Sequence, residues 1–341
     1  MPALCVAAML IAASTSASSP ATPSAENLVS QAIGATLNAD GARAESLLRS
    51  IPSDASDKDV RYRDCALRRL AGASDDASPA GTPALISSAL HAYRSYWRSA
   101  LHDREHLAAL EEGLLRRLGP ELPAPHPKTF DELETALRKA LEPSGYYLLG
   151  GRTGPLRELM VWHSQRENTF QVALPDGPQA VKVFFLDNFA SLGWSTFFTC
   201  GRSGTGGWTT PEALYAVVPN YDSLEDENFK VNFLTHEAQH YQDTSRGLKL
   251  EDWVKEYRAK LAELAAAHET LDRVLKRFIS EQTDDKRSPH GYASKQLLGV
   301  LARALGVSSV EEIQHAVPER VRLAARAALI ADTLQRGTVG S

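Results

Sequence analysis

No apolar run in this chain of 341 residues reaches about 18 residues, the length that a membrane-spanning helix needs, so no integral membrane segment is expected in the mature chain. Nor is there an excess of positive charge. Thirty-seven Lys and Arg against 42 Asp and Glu leave a formal net charge of -5, which offers a nucleic acid no electrostatic footprint. Cysteine is scarce, at three residues. Cys5 falls in the apolar N-terminal stretch, and the remaining Cys65 and Cys200 either form one bridge or stay as two buried thiols; their separation in sequence leaves both open. No internal repeat of fixed period is present. What remains, 43% hydrophobic and 23% charged residues, suits a globular protein with a sizeable core in one large domain or two.

The stretch from Met1 to Ala13 is apolar, and a Ser/Ala/Thr/Pro-rich segment continues it to Ala25. Residues 1–25 read as a secretory signal and linker, although the positively charged start is missing. The expected location is therefore periplasmic or secreted if that signal is genuine, and cytoplasmic otherwise. Residues 26–145 carry Ala-, Leu- and Arg-rich amphipathic runs at 26–37, 41–50, 58–71, 83–118 and 129–141, which predict an α-helical N-terminal region. That region is open to three roles: one wall of a cleft, a removable prosegment, or a partner-binding unit. Residues 307–341 predict a further helical pair, with Ser309 before its first turn and an Ala/Leu/Arg run from Glu319 to Arg336.

The chemistry concentrates in residues 146–306. His236-Glu237-Ala238-Gln239-His240 places two imidazoles four residues apart, on one helical face, where both can reach one metal ion. Glu237, beside the first of them, is positioned to take a proton from a water that the metal activates. A helix over 223–246 is predicted from Ser223 as N-cap, the acids Glu225, Asp226 and Glu227 in its first turns, the apolar Phe229, Phe233, Leu234, Ala238 and Tyr241, and Gly247 just past its end. No Pro or Gly interrupts it.

A catalytic zinc usually takes three protein ligands. A second helix is predicted from about Glu251 through Phe278, folding back near Leu248. Glu256, eight residues after that point, lies level with His240, eight before it; Glu263 falls about 10 Å further along the axis and Glu251 in the turn. Glu256 is thus the candidate third ligand. With these residues in place the chain resembles the gluzincin metallopeptidases, the thermolysin-like clan, through His236, Glu237, His240 and Glu256, with Ala259 in the small position three after the ligand. The metzincin pattern fails because Tyr241-Gln242-Asp243-Thr244-Ser245-Arg246 supplies no third His. Many gluzincins carry an acid four residues after the Glu ligand, where this chain has Lys260; the group that orients His236 is unassigned, with Asp243 one turn beyond His240 as a candidate.

Thr169 to Leu174 and Ala180 to Leu186 are β-rich runs parted by a Pro175–Pro178 turn, and Ala213 to Val218 is a third short strand. The resemblance implies that this third strand, just before the zinc helix, is the cleft edge that pairs with an extended peptide. A helix opening at Pro289, with Ser288 as N-cap and Gly306 after its end, would hold His290 and Tyr292 at a positive terminus. The resemblance implies an oxyanion-stabilising His or Tyr there. The reading is an α+β protein: a zincin-like catalytic lobe with a small sheet, the HExxH helix and following helices, behind an α-helical N-terminal region. Its expected activity is zinc-dependent hydrolysis of peptide bonds in a peptide or protein substrate, with one Zn2+ per chain, His236, His240 and Glu256 as ligands, and Glu237, His290 and Tyr292 in catalysis. The alternative is a non-catalytic zinc-binding or structural protein that keeps the zincin-like helix.

Overall fold

The computed structural model describes residues 24–72, 78–79, 81–124 and 126–339, so nearly all of the signal-and-linker stretch lies outside the described residues. Helices α1 (Ala25–Leu37), α2 (Gly41–Arg49), α3 (Asp57–Ala71), α4 (Ala84–His102), α5 (Leu107–Leu118) and α6 (Phe130–Leu141) make up the first region. Four of them start where a short polar side chain accepts an otherwise orphaned backbone N–H: Ser24, Asp40, Ser56 and Thr129. The amphipathic run 83–118 is two helices rather than one. Asp103 leaves the helical conformation (φ -140°, ψ 69°), a tight turn spans Arg104–His106, and α5 folds back so that Tyr96 donates to Glu111 Oε1 at 3.3 Å. A helical hairpin keeps both apolar stripes inward, which is why the periodicity runs across the break.

A mixed five-stranded sheet comes next, in the order β1-β4-β5-β7-β6. Its centre is a long antiparallel hairpin, β4 (Met160–Leu174) and β5 (Gly177–Leu192), turning at Pro175 and Asp176. The β-rich runs at 169–174 and 180–186 are the distal half of it. Strand β1 (Tyr147–Leu149) pairs with β4, β7 (Leu214–Val217) lies parallel to β5, and β6 (Gly207–Thr209) pairs antiparallel with β7. The expectation that 213–218 forms the cleft edge is corrected: β7 is paired on both sides, and β6 is the edge. A separate two-stranded ribbon joins β2 (Arg152–Thr153) to β3 (Leu156–Arg157).

The helical region and the sheet share one core at their junction. Tyr93, Trp97 and Leu137 cluster with Leu148, Leu159, Val161, Ala190 and with Trp194 and Phe198 of α7 (Trp194–Phe198). Cys65 in α3 and Cys200 just beyond α7 are disulfide-bonded across 135 residues of sequence, which settles the open pairing as a bridge. Arg202 pairs with Asp59 at 3.0 Å beside it. The first region is thus joined to the sheet by a shared core and by a covalent bridge.

The distal half of the sheet packs on the remaining helices: the segment 227–245, α10 (Asp252–Ala266), α11 (Leu271–Glu281), α12 (Pro289–Leu305) and α13 (Pro318–Val339). The single helix expected from 251 to 278 is α10 and α11, parted where Glu227 accepts the N–H groups of His268 and Thr270. Among the described residues no helix is long and apolar enough to cross a membrane. The protein is thus α+β with a small curled sheet.

Candidate metal site and cleft

The helix that carries the two histidines begins at Glu227, with Asp226 accepting the N–H of Phe229. Ser223 caps only a preceding turn, so the N-cap, Asp226, lies three residues later than the sequence suggests. It is also not a plain α-helix. Glu227–Phe229 is α-helical (α8), Lys230–Thr235 is a π-helical segment, and His236–Ser245 is α-helical again (α9). Thr235 reinforces the wide turn, its hydroxyl donating to Lys230 O five residues back at 3.0 Å.

That one extra residue decides where the histidines point. At 100° per residue, Phe229, Phe233, His236 and His240 would fall within about 60° of one another on an uninterrupted helix, all facing the core. A π turn rotates the residues beyond it by about 100°. Phe229 and Phe233 therefore stay buried, joined by Ala238, while His236 and His240 turn out to a cleft with their rings 4.9 Å apart.

Helix α10 brings Glu256 to them, as a fold-back near Leu248 requires. Its Oε1 lies 3.4 Å from His240 Nε2 and its Oε2 3.5 Å from His236 Nε2. One ligand atom from each of the three residues lies within 4.8 Å of the others, so this group could hold a metal ion. Bonds of about 2.0–2.2 Å in a tetrahedron separate ligand atoms by roughly 3.4 Å; the two His–Glu distances are of that order but run to different oxygens of Glu256. Glu256 Oε2 is buried and without a hydrogen-bond partner; His290 Nδ1 is 2.8 Å away but out of line. Two imidazoles and a buried carboxylate oxygen are a donor set that a cation can satisfy.

Behind the three candidate ligands stands a carboxylate that meets His236, in the place for which the sequence left the orienting group open. His236 Nδ1 is 3.3 Å from Glu263 Oε2, and Arg277 donates to Glu263 Oε1 at 2.7 Å. Glu263 is completely buried. It lies seven residues after Glu256, two helical turns on the same face, so helical spacing alone could have proposed it as the support for His236. Asp243 does something else: it takes two hydrogen bonds from the buried Arg258 at 2.8 Å, and Arg258 also reaches Asp332 of α13. Lys260, in the place where many gluzincins have an acid, is buried against Glu281 and Ser294. Burial works against charging His236, yet Glu256 and Glu263 outweigh it and lift the imidazole to about 10. Burial is likewise overcome at Glu256, held well below the usual carboxylate range by the surrounding imidazoles.

The site opens on a cleft of about 1220 Å³ whose lining includes Trp208, Tyr221, Asn232, Glu237, Arg277 and His290. Glu237 faces it, and Thr209 of β6 donates to Glu237 Oε2 at 2.6 Å. His290, at the start of α12, has a side chain 67% exposed and touches Glu256. Tyr292 is placed away from the cleft, edge-on to Trp253 with ring centroids 5.2 Å apart. Burial raises the Tyr221 phenol, which donates to Gly206 O at 2.9 Å. That residue is the tyrosine in the cleft.

No protein-family model, curated protein or solved structure matches the chain.

Proposed function

We propose that this chain is a zinc-dependent peptidase of the gluzincin type, with a zincin-like catalytic lobe. The observation that carries the reading is the convergence of His236, His240 and Glu256 on one point, with Glu237 beside them facing the same cleft. Two imidazoles and one carboxylate with room for a further ligand are the donor set of a catalytic zinc. Zinc bound there supplies Lewis acidity, which acidifies a water toward a pKa of about 7 and polarises a carbonyl.

The chain's own residues do the rest. Glu263 holds His236 by its Nδ1, leaving Nε2 for the metal. Thr209 fixes Oε2 of Glu237, so that carboxylate presents its other oxygen to receive a proton and later give it to the leaving amine. His290, mostly exposed, is free to turn from Glu256 to a substrate carbonyl oxygen and donate to it.

Strand β6 supports a peptide substrate. Gly206 O accepts from Val217 N, and Thr210 N donates to Ala213 O, so those residues face β7. By the alternation of a strand, the backbone groups of Thr209 face outward along the cleft, where an extended chain can pair, while those of Gly207 are held by the Thr205 hydroxyl, which donates to Gly207 O at 2.8 Å and accepts from Gly207 N at 3.3 Å. The Cys65–Cys200 bridge supports an exported protein, since disulfides persist in oxidising compartments.

The test is hydrolysis of an unfolded protein or peptide library by protein holding about one zinc per chain, with and without chelator, set against Glu237→Gln. Activity that is lost in Glu237→Gln while zinc is retained supports the reading. A chelator-insensitive activity, or none at full zinc occupancy, overturns it.

A further inference from the structure

Side chains on β5 alternate between the helical core and the opposite face of the sheet, and at Asn188 the alternation reverses, ahead of a second shift at the register break opposite Val161 and Trp162. Val181, Val183 and Phe185 face the helices, while Phe184 and Leu186 face the other way. An unbroken strand would send Phe189 to the helical side. Asn188, however, adopts a left-handed conformation (φ 54°), which asparagine tolerates better than most residues. Phe189 consequently joins Phe184 on the outer face, and its cross-strand partner Trp162 joins with it.

The outcome is a continuous strip of rings across the sheet. Tyr147 stacks on Trp162 at 5.8 Å; Trp162 meets Phe189 at 5.9 Å and Trp208 at 6.3 Å. Trp208 lies flat on Tyr215 at 5.2 Å, and Tyr215 tilts against Phe184 at the same distance. Among the described residues the hydrophobic members of this cluster come from strands and none from a helix. Tyr147 is 44% exposed, and Phe184, Phe189, Trp208 and Tyr215 are half-buried. Beyond Phe184 the face turns polar, where Lys182 pairs with Glu167 at 3.3 Å.

We propose that this strip docks the flanking stretch of a polypeptide substrate and selects aromatic and large aliphatic side chains outside the bond to be cleaved. The inference rests on the peptidase reading and adds a substrate class to it. What names the occupant is continuity with the cleft: Trp208 belongs to both the strip and the cleft lining, and it sits on the edge strand. A chain paired along β6 sends alternate side chains to the two sides of the sheet. Those on one side meet Glu237 and the histidines, and those on the other meet Trp208 and the rings behind it. Charge meets the strip at its far end, where Lys182 Nζ lies 5.8 Å from the centre of the Phe184 ring, while the surface from Tyr147 to Tyr215 is built of rings that fit apolar side chains.

The test uses full-length, zinc-loaded Glu237→Gln protein and a fluorescein-labelled unstructured peptide bearing a Phe-Leu-Tyr cluster, beside a twin with Ser at those positions. Fluorescence anisotropy should show the apolar peptide binding about tenfold tighter. Tyr147→Ser, at an exposed position remote from the metal ligands, should reduce that advantage about three- to tenfold while the Ser twin is unaffected. Equal affinity for the two peptides, or an advantage untouched by Tyr147→Ser, overturns the docking strip even if the wild type is an active peptidase. Concentration-dependent self-association that Tyr147→Ser abolishes would assign the face to a second copy and also overturn it. A selective, Tyr147-dependent affinity alongside a zinc-loaded wild type that shows no turnover would instead sink the peptidase reading and leave the strip.

Discussion

Glu263→Gln separates a metal ligand from the group that supports one. The change keeps volume and one hydrogen-bonding oxygen but removes the charge that faces His236 Nδ1 at 3.3 Å and Arg277 at 2.7 Å. Loss of such an outer partner typically costs 10- to 100-fold in metal affinity, or about 1.4–2.7 kcal/mol. The upper half of that range is expected, because Glu263 is completely buried and no water can take its place. Glu256→Ala, which removes one of three ligands, should lose metal altogether. Competitive titration of zinc against a chromophoric chelator, with metal content checked by mass spectrometry, places the three proteins on one scale. Wild-type affinity in Glu263→Gln would refute the supporting role. A loss as complete as that of Glu256→Ala would make Glu263 a ligand and require a different site.

Individual contacts set further outcomes. His236→Ala and His240→Ala should each abolish zinc retention, whereas Glu237→Gln should keep zinc and lower turnover by about 10²- to 10⁴-fold. Deleting Lys230 should convert the π segment to a regular turn and swing the histidines about 100° toward the core, so zinc binding is lost while helical circular dichroism persists; retained binding would refute the role given to that segment. Arg258→Ala leaves Asp243 buried beside an emptied site and should cost about 3–5 kcal/mol in denaturant unfolding. At Glu227, partial burial opposes the charge, but the N–H groups of Thr270 and His268 outweigh it and lower the pKa. A depressed pKa stabilises the fold above the unfolded value and is lost as pH falls through the folded one, so Glu227→Gln should cost about 0.5–1 kcal/mol at neutral pH and progressively less in acid.

Spacing along the chain determined the centre of the site. Two residues four apart share a helical face whatever surrounds them, and a fold-back near Leu248 leaves Glu256 level with His240; both are consequences of the α-helical rise and pitch. The termini of α9 and α12 were legible for the same local reason, since Gly247 and Gly306 adopt the left-handed conformation that ends a helix. Glu263 was legible in principle, on the face that presents Glu256. Tertiary structure decided the rest. No local signal marks the π turn, because a wide turn is stable only where packing on both sides demands the rotation: Phe229 and Phe233 need the core, and the histidines need the cleft. The partners of Asp243 and Glu237 come from Arg258 and Thr209, 15 and 28 residues away, and pairings at such distances carry no periodicity to read. Strand order was equally hidden, since β6 is three residues long and only its pairing with β7 makes it the edge. The sequence could name candidate residues for the chemistry, because residue type and helical period are local; which oxygen each nitrogen meets is set by contacts that exist only once the chain has closed on itself.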